Sequence, residues 1–467
     1  MLQQRLTWMP TALAAICVWL IQVQPADTQR VYQDGAGHIT FALSGDSIIS
    51  RKVSVHDEPA FLKLREIIGG ATVGFTNLEM LFHNYEEDII PASQSGGTYM
   101  SAHPDLAKEL VWMGFDLVSR ANNHTMDYGL GGLRATTRAV EAAGLVQAGA
   151  GENLAEARAP AYLETPGGRV ALISVSSSFA DHMRAGHQRQ DLRGRPGLSP
   201  LRYDTTYLVP PAQLEALRGI RRDLRLGGRD DGDRLTMFGA TFVAGDRHEV
   251  RTSPHAGDLA DVVAAVRDAR QLADWVVVTS HTHEADGHRE VPAQFLVTFA
   301  RAVIDAGADI VTGHGPHILR GIEIYRGKPI FYSLADFIFQ NDTVTRQPAD
   351  NYERYGLPAG ALPSDFYSGR EAASGGGWPA DATYWDSALA VVRFRAGSLE
   401  EVRLHPLTLG FGLDRPQRGR PMVADDAEGR RIIETLQRLS QPYNTSIEYI
   451  EGVGVIRGTP GTAREDQ

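Results

Sequence analysis

Short apolar runs alternate with stretches of helical spacing through the first third of the chain. Residues 39–46 form an apolar run that ends in a Ser-Gly-Asp turn, and residues 59–68 have helical spacing and stop at a glycine pair. Further strands are predicted at 71–77, 115–119 and 145–148, with helical stretches between them. This alternation is typical of an α/β domain with a largely parallel sheet.

The pattern changes in three later parts of the chain. Residues 221–233 are charged and rich in Gly, which indicates a surface insertion, and strand–helix alternation resumes over 259–311. Residues 341–386 contain Pro, Gly and aromatic residues without periodicity. Such a long irregular loop is either a lid over a functional site or a mobile surface loop. A helix at 425–439 belongs to a C-terminal segment, 413–467, that we expect to pack on the domain and to end in a charged tail.

Polar residues with metal-binding side chains follow several of the predicted strands. They are Asp46, Glu79, Asn123, His281 and His314. Any one of them alone would be an ordinary turn residue, but functional groups of an open α/β sheet gather at the carboxyl ends of its strands. Carboxylate, imidazole and amide ligands suit Mn²⁺, Fe or Zn²⁺ better than Ca²⁺. The set therefore predicts a site for one or two divalent metal ions, about 3.5–4 Å apart if a carboxylate bridges two of them.

His124 and Asp127 follow the expected ligand Asn123 on the same turn. An imidazole beside a ligand and pointing the other way is well placed to protonate a leaving group. Asp127 would orient that imidazole, and it suits the N-cap of the following helix equally well. We expect both residues to be catalytic, with a capping role for Asp127 as the alternative.

Two further histidines accompany the strand-end set. The turn Gly313-His-Gly-Pro-His317 carries two imidazoles, His314 and His317, and its Gly and Pro make it rigid, so it is the most specific local motif of the chain. His283 is two residues from His281, and on an extended chain the two side chains point apart. We expect His283 to support the site from outside or to contact substrate.

Arg195 and Asp336 are candidate substrate-binding residues. Arg195 lies in the loop Arg193-Gly-Arg-Pro-Gly197, and arginine pairs well with carboxylate or phosphate. Asp336 follows a predicted strand and would line the site. A solvated loop and an ordinary turn are the alternative interpretations.

Charge and cysteine content narrow the function classes. The chain has 467 residues, with 46 Lys and Arg against 57 Asp and Glu, and a formal net charge of −11. This balance does not favour a nucleic-acid-binding surface, although bound metal ions would let an anion bind locally. The single cysteine, Cys17, excludes an intrachain disulfide and a cysteine-based zinc site.

Residues 1–30 are expected to be a signal peptide or an N-terminal anchor. Arg5 precedes the apolar stretch Thr11–Val23, whose length fits a signal-peptide core better than a full membrane span. A buried helix is the alternative. No clear Ala-x-Ala cleavage site follows, so the leader is either removed or retained. We expect export to the periplasm or cell envelope.

Several short motifs follow one another in a characteristic order. They are Ser44-Gly-Asp46, Thr76-Asn-Leu-Glu79, Ala121-Asn-Asn-His-Thr-Met-Asp-Tyr-Gly129, Arg195-Pro-Gly197, His281, Ala306-Gly-Ala-Asp-Ile-Val-Thr-Gly-His-Gly-Pro-His317 and Ile330-Phe-Tyr-Ser-Leu-Ala-Asp-Phe337. In these motifs the chain resembles the CapA family of poly-gamma-glutamate capsule synthesis proteins. The resemblance covers nearly all of the chain that follows the leader.

The resemblance implies a calcineurin-like metallophosphoesterase domain over 38–412, a two-sheet α/β sandwich flanked by helices with a dinuclear metal centre. The ligands it implies for one metal are Asp46, Glu79 and His317. Those it implies for the other are Glu79, Asn123, His281 and His314, with Glu79 as the bridge. It also implies that His124 is the catalytic acid.

The chain departs from the phosphoesterase pattern in several motifs. Those enzymes usually open with Asp-x-His, whereas Asp46 is followed by Ser47 and Ile48, so the first metal site lacks a ligand. The usual bridging Asp is Glu79, His-Trp-Gly is replaced by His281-Thr-His283, and Ser-Leu-Gly-Asn-Phe is replaced by Ser333-Leu-Ala-Asp-Phe337. These changes indicate a substrate different from that of the capsule proteins proper.

The expected function is that of a metal-dependent hydrolase in capsule or poly-gamma-glutamate metabolism. Its substrate would be an anionic polymer or a phosphoester, attacked by metal-activated water while His124 protonates the leaving group. Two alternatives stay open. One is a non-catalytic accessory subunit that scaffolds a membrane synthesis complex, and the other is a phosphoesterase with an unrelated substrate.

Overall fold

A ten-stranded mixed sheet forms one half of the protein. The computed structural model describes residues 37–86, 88–375 and 377–458. The strand His38–Ile48 pairs parallel with Val73–Leu78 and antiparallel with Asp386–Arg395, and the next strand beyond each of these neighbours keeps the same sense of pairing. In spatial order the main strands are Glu448–Ile450, Val453–Arg457, Ser398–Thr408, Asp386–Arg395, His38–Ile48, Val73–Leu78, Leu117–Ser119 and Val146–Ala148. Asp336–Phe339 pairs with the end of His38–Ile48, and Met422–Val423 pairs with Ser398–Thr408.

A second sheet of six strands forms the other half. Trp275–His281 lies inside it, parallel to Ile310–His314 and Gly168–Ser176. In spatial order its strands are Ile322–Tyr325, Lys328–Phe331, Ile310–His314, Trp275–His281, Gly168–Ser176 and Ala161–Thr165. The two outermost strands pair antiparallel with their neighbours. Both sheets are therefore mixed. The predicted parallel pairing holds among the strands whose carboxyl ends carry or precede the candidate metal ligands.

An apolar cluster joins the two sheets face to face. Phe41 and Phe75 of the first sheet belong to the same buried cluster as Leu172 and Val277 of the second. The ring of Phe41 meets Trp275 edge to face at 6.4 Å, a geometry that aromatic pairs favour. Separate clusters pack helices onto the outer face of each sheet. The expected two-sheet sandwich flanked by helices is confirmed.

The helices begin and end where the local sequence dictates. Gly114, Gly144 and Gly307 each follow a helix and adopt positive φ, which glycine tolerates best. The α-helices of the described chain are Pro59–Gly69, Ala107–Met113, Gly129–Ala143, Leu154–Arg158, Pro211–Asp223, Ala256–Leu272, Gln294–Ala306, Ala349–Arg354, Pro363–Ala373 and Asp426–Ser440. The 3₁₀ turns are Pro104–Leu106, Asp181–Met183, Asn341–Thr343, Ala382–Trp385 and Gln441–Tyr443.

Residues 203–254 form a small sheet of their own beside the sandwich. Its strands, in spatial order, are Arg229–Asp230, Arg234–Met237, Ala240–Ala244, Tyr203–Val209 and Glu249–Pro254. The helix Pro211–Asp223 packs on it through buried Leu214. The sequence predicted only a charged insertion at 221–233, because the strands here are short and their charged side chains mask the alternation. A two-stranded ladder, Ala150–Gly151 with Gly197–Leu198, lies elsewhere.

The 341–386 segment is not an irregular loop, and that prediction is wrong. It contains two helices and two 3₁₀ turns, and its Phe366, Tyr367 and Trp385 are buried in the cluster on the first sheet. The helix Ala349–Arg354 is too short to show a period, and Pro363–Ala373 buries only Phe366 and Tyr367, so its apolar residues do not recur at helical spacing. The segment packs on the body of the domain, which also argues against a mobile surface loop.

The C-terminal segment packs on the domain as expected. Ile432, Ile433 and Leu436 of its helix are buried in the inter-sheet cluster. The supposed charged tail, however, contributes the edge strands Glu448–Ile450 and Val453–Arg457 to the first sheet. The predicted leader and residues 459–467 lie outside the described residues. Within the described ranges, no helix has both the length and the apolarity needed to span a bilayer.

Candidate metal centre

Asp46 lies at the point where three strands of the first sheet meet. It is in register with Asn77 on one neighbouring strand and with Asp336 on the other. The Asn77 side chain donates to Oδ1 of Asp46 at 2.7 Å, and the backbone N–H of Gly315 donates to Oδ2 at 2.8 Å. Gly315 belongs to the second sheet's histidine turn, so Asp46 links the two sheets directly.

His281 and His314 approach Asp46 from the second sheet. They are paired in register at the ends of adjacent parallel strands. The Nδ1 atoms of the two histidines lie 3.1 Å apart. The distance from Nδ1 to Oδ1 of Asp46 is 3.6 Å for His281 and 3.5 Å for His314. The carboxyl ends of the two sheets therefore converge on one point, as the sequence predicted.

Glu79 lies at the centre of the cluster. It follows the strand Val73–Leu78 and is fully buried. Its Oε1 lies 3.6 Å from Nε2 of His124, 3.9 Å from Nε2 of His281 and 4.0 Å from Nε2 of His317. One carboxylate thus faces imidazoles from three separate loops, which is a suitable position for a bridging ligand.

His317 reaches the cluster from a constrained turn. Its φ is +59°, a left-handed conformation that is uncommon for residues other than glycine. Its Nδ1 lies 2.8 Å from Oδ1 of Asp336 and 3.7 Å from Oδ2 of Asp46. Its ring stacks on Phe339 at 5.6 Å. Asp336 therefore orients a predicted ligand, in addition to facing the cluster itself.

His124 and Asp127 form a buried pair beside Glu79. Nδ1 of His124 lies 2.7 Å from Oδ2 of Asp127, which also accepts a hydrogen bond from the backbone N–H of Met100 at 2.8 Å. This carboxylate holds the proton on Nδ1 and leaves Nε2 facing Glu79. Tyr128 occupies the N-cap of the following helix, so the capping alternative for Asp127 is wrong.

Three overlapping groups of side chains have the composition and spacing of metal sites. In each group the ligand atoms all lie within 4.8 Å of one another. The groups are Asp46, His281 and His314; Glu79, His281 and His283; and Asp46, Glu79, His317 and Asp336. His283 and Asp336, which the sequence suggested only as supporting or substrate-binding residues, lie in the same cluster as the predicted ligands.

The polar atoms of this cluster fit a bound cation. Several buried atoms here have no hydrogen-bond partner: both carboxylate oxygens of Glu79, Oδ1 of Asn123, Nε2 of His314, Oδ1 of Asp127 and Oδ2 of Asp336. No Lys or Arg within the described ranges forms an ion pair with these carboxylates or with Asp46. Buried polar atoms are normally satisfied, and buried charge needs a counter-charge. A divalent ion would supply both.

The electrostatics of the metal-free cluster keep two imidazoles neutral but disfavour the ionised form of Glu79. Burial lowers the pKa of His314 to about 3. Burial, with His317 and His124 nearby, holds the pKa of His281 well below its usual range. Both imidazoles are therefore neutral at pH 7, the form that binds metal. Burial and the charges of Asp46 and Asp336 raise the pKa of Glu79 well above its usual range.

Asp336 is placed where it could supply the donor that the first motif lacks. Ile48, at the position where the resemblance expects a histidine, is buried in an apolar cluster. Ser47 instead bonds Thr76 through their hydroxyls at 2.7 Å. Asp336 lies on the strand next to Asp46 and belongs to the same four-residue group. The departure from Asp-x-His therefore does not leave the first site short of donors.

The remaining candidates lie nearby or apart from the cluster. Asn123 is buried and packs against Gly96. Arg195 is exposed and donates to the backbone carbonyl of Arg184 at 2.9 Å, so its substrate contact stays a prediction. Asn77, which holds Asp46 and lies 3.4 Å from Nδ1 of His281, was missed as a site residue. Its place in the motif Thr76-Asn-Leu-Glu79 was the available signal.

Buried Arg320 fixes the loop that carries His283. Its guanidinium donates to the backbone carbonyls of Thr282 at 3.3 Å, His283 at 3.1 Å and Arg289 at 3.0 Å. Arginine suits this role because its planar group presents several donors in fixed directions. Nε2 of His283 is thereby held 3.0 Å from Nε2 of His281.

Comparison with known proteins gives one consistent relationship. A family model described as "Bacterial capsule synthesis protein PGA_cap" matches residues 36–341. The chain is 38% identical over 428 residues to protein y4sH of Sinorhizobium fredii, covering 90% of this chain and 93% of that one. It is 27% identical over 252 residues to "Capsule biosynthesis protein CapA" of Bacillus anthracis, covering 54% of this chain and 47% of that one. It is 30% identical over 236 residues to "Probable polyglutamine synthesis accessory protein" of Mycobacterium tuberculosis, covering 50% and 48%.

Proposed function

Because this chain belongs to the family of bacterial capsule synthesis proteins described as PGA_cap, we propose that it is a metal-dependent hydrolase of capsule metabolism. Its substrate would be poly-gamma-glutamate, another anionic polymer or a phosphoester. The family membership confirms the resemblance to CapA and supports the link to capsule synthesis. The hydrolytic activity is the part that the geometry supports and experiment must test.

The observation that carries the proposal is the buried cluster around Glu79. It combines three carboxylates with imidazoles from separate parts of the chain, and both oxygens of Glu79, Nε2 of His314 and Oδ2 of Asp336 have no hydrogen-bond partner among the described residues. A purely structural polar cluster would satisfy its own hydrogen bonds. The donor set of carboxylate and imidazole suits one or two ions of Mn²⁺, Fe or Zn²⁺.

The residues around the cluster have distinct chemical tasks. Asp46, Glu79, Asp336 and the neutral imidazoles would hold the metal, which supplies Lewis acidity and a nucleophilic water when bound. Nε2 of His124 faces Glu79, where it would transfer a proton to the leaving group. Asp127 accepts from Nδ1 of His124 and keeps that ring in its orientation.

An accessory role is the second candidate. It is supported by the relative from Mycobacterium tuberculosis, whose name describes an accessory protein of polyglutamine synthesis. In that role the metal cluster would stabilise the fold, and the chain would assist a membrane synthesis complex. Export to the cell envelope belongs to either proposal, since capsule polymers are assembled there.

Turnover by the metal-loaded protein tests the hydrolase proposal. We expect Mn²⁺-loaded protein to hydrolyse oligo-γ-glutamate or p-nitrophenyl phosphate, and His124→Ala to lower kcat about 10²–10⁴-fold while its metal content stays the same. His405→Ala is the matched control, because His405 is a partly buried histidine on the strand Ser398–Thr408 and outside the cluster. Intact turnover in His124→Ala would remove its catalytic role. No turnover of either substrate by the wild type would leave the accessory role as the better account.

A further inference from the structure

One arginine of the 341–386 segment approaches the metal cluster without an acidic partner. Arg370, on the helix Pro363–Ala373, forms no ion pair with any carboxylate in the part of the chain that the structure describes. Other arginines that contact this segment do: Arg418 pairs with Asp342 at 2.7 Å, and Arg415 approaches Glu371 at 3.4 Å. Arg370 instead donates from Nη1 to the hydroxyl of Thr98 at 2.7 Å.

Thr98 links Arg370 to the part of the cluster that contains Asn123 and Asp127. It lies on the stretch 96–100, which runs beside Asn123 and Asp127. A Cβ on Gly96 would stand 2.2 Å from Nδ2 of Asn123, and the backbone N–H of Met100 bonds Asp127. The hydroxyl that holds Arg370 is therefore two residues from each of these close contacts.

The 341–386 segment is clamped onto the same stretch. The side chain of Gln347 accepts from the backbone N–H of Tyr99 at 2.9 Å and donates to its carbonyl at 3.0 Å. Asn351 donates to the carbonyl of Gly97 at 3.3 Å. These bonds fix the 341–386 segment against the stretch 96–100, to which Arg370 is also bonded through Thr98.

A chain of aromatic rings links Arg370 to His317, a predicted metal ligand. Its guanidinium lies over the ring of Trp378, 4.6 Å from the centroid. Trp378 meets Phe339 edge to face at 5.6 Å, and Phe339 stacks on His317 at 5.6 Å. Arg370 thus lies between His317 and the stretch beside Asn123.

An arginine held in this way is costly unless it binds an anion. Burial lowers the pKa of Arg370, and its planar group has N–H donors beyond the one that Thr98 uses. Arginine recognises carboxylate and phosphate through paired hydrogen bonds. We infer that Arg370 is a substrate-binding residue that receives a carboxylate or phosphate group of the substrate at the rim of the metal cluster. This inference rests on the proposed function for its substrate class.

Direct binding measurements test the inference without requiring turnover. Calorimetric titration of full-length, Mn²⁺-loaded protein would use two probes, oligo-γ-glutamate and inorganic phosphate, which separate a carboxylate site from a phosphate site. We expect Arg370→Met to weaken at least one probe about tenfold or more, and Arg370→Lys to retain part of the affinity and its salt dependence. Arg354→Met is the matched control, since Arg354 is an exposed arginine of the same segment.

A structural role for Arg370 predicts a different pattern. Thr98→Val removes the bond to Arg370 but leaves the charge in place. If Arg370 only held the segment, Thr98→Val and Arg370→Met would lower the melting temperature alike, and Arg370→Lys would bind the probes as wild type does. That pattern would overturn the inference. So would equal probe affinity in Arg370→Met and wild type, or the failure of wild type to bind either probe. Probe binding that persists in His124→Ala without turnover would separate this result from the fate of the hydrolase proposal.

Discussion

At the scale of single residues, burial raises the pKa of two acids of the cluster. Burial is the main cause that raises the pKa of Glu79, and it raises the pKa of Asp336 to about 6 although His317 opposes the shift. Below these values the metal-free protein holds protons on carboxylates that a cation would need. The imidazole of His314, with a pKa of about 3, stays neutral over the same pH range and has no proton to lose when metal binds. Competition between metal and protons is therefore expected at these carboxylates, and also at His317, whose pKa is raised, against the effect of burial, by Asp336.

Metal affinity is expected to depend on pH through Glu79 and Asp336. Because bound metal displaces their protons, affinity for Mn²⁺ should rise as pH rises from about 5 to 7. Glu79→Gln should bind metal more weakly and show a shallower rise, since one of the displaced protons is absent. Calorimetric titration of metal-free protein across this range measures both. An affinity that is flat with pH in the wild type would contradict the assignment of these carboxylates as ligands.

At the scale of elements, tightly packed loops position the predicted ligands. The stretch 96–100 passes so close to Asn123 that only glycine fits at position 96. The same stretch supplies a backbone donor to Asp127 through Met100. Close approach of backbone to a functional side chain is a recurring reason for glycine at such a position.

Gly96→Ala should therefore lower metal affinity although it replaces none of the predicted ligands. The new Cβ must displace Asn123 or the stretch that carries it, and we expect metal affinity to fall about 10-fold or more, as when a supporting partner of a ligand is lost. Gly360→Ala is the matched control, because a Cβ there meets nothing within 4 Å. Unchanged metal affinity in Gly96→Ala would show that Asn123 is not a ligand.

How much of this arrangement the sequence predicts depends on the element. Asp46 lies near the end of the strand His38–Ile48 and His314 ends the strand Ile310–His314, so their convergence is predictable from strand ends alone. Asp336 is different, because its place beside Asp46 depends on a parallel pairing between strands far apart in the chain. The same limit hides the 203–254 sheet and the 341–386 helices, whose order comes from tertiary packing that local periodicity does not record.

At the scale of the whole molecule, two sheets divide the work of building one centre. The first sheet contributes the carboxylates Asp46, Glu79 and Asp336, and the second contributes His281 and His314. The inter-sheet apolar cluster fixes the distance between these two sets. A change in how the sheets pack would therefore separate acids from imidazoles, which makes metal binding and tertiary stability mutually dependent.

Locating the metal tests this central claim most directly. Crystals of the protein grown with Mn²⁺ would be measured above the manganese absorption edge, and His314→Ala crystals would be measured in the same way. We predict one or two anomalous peaks in contact with Glu79, with at least one lost or weakened in the variant. Absence of any peak at Glu79, or a peak that is unchanged in His314→Ala, would contradict the account.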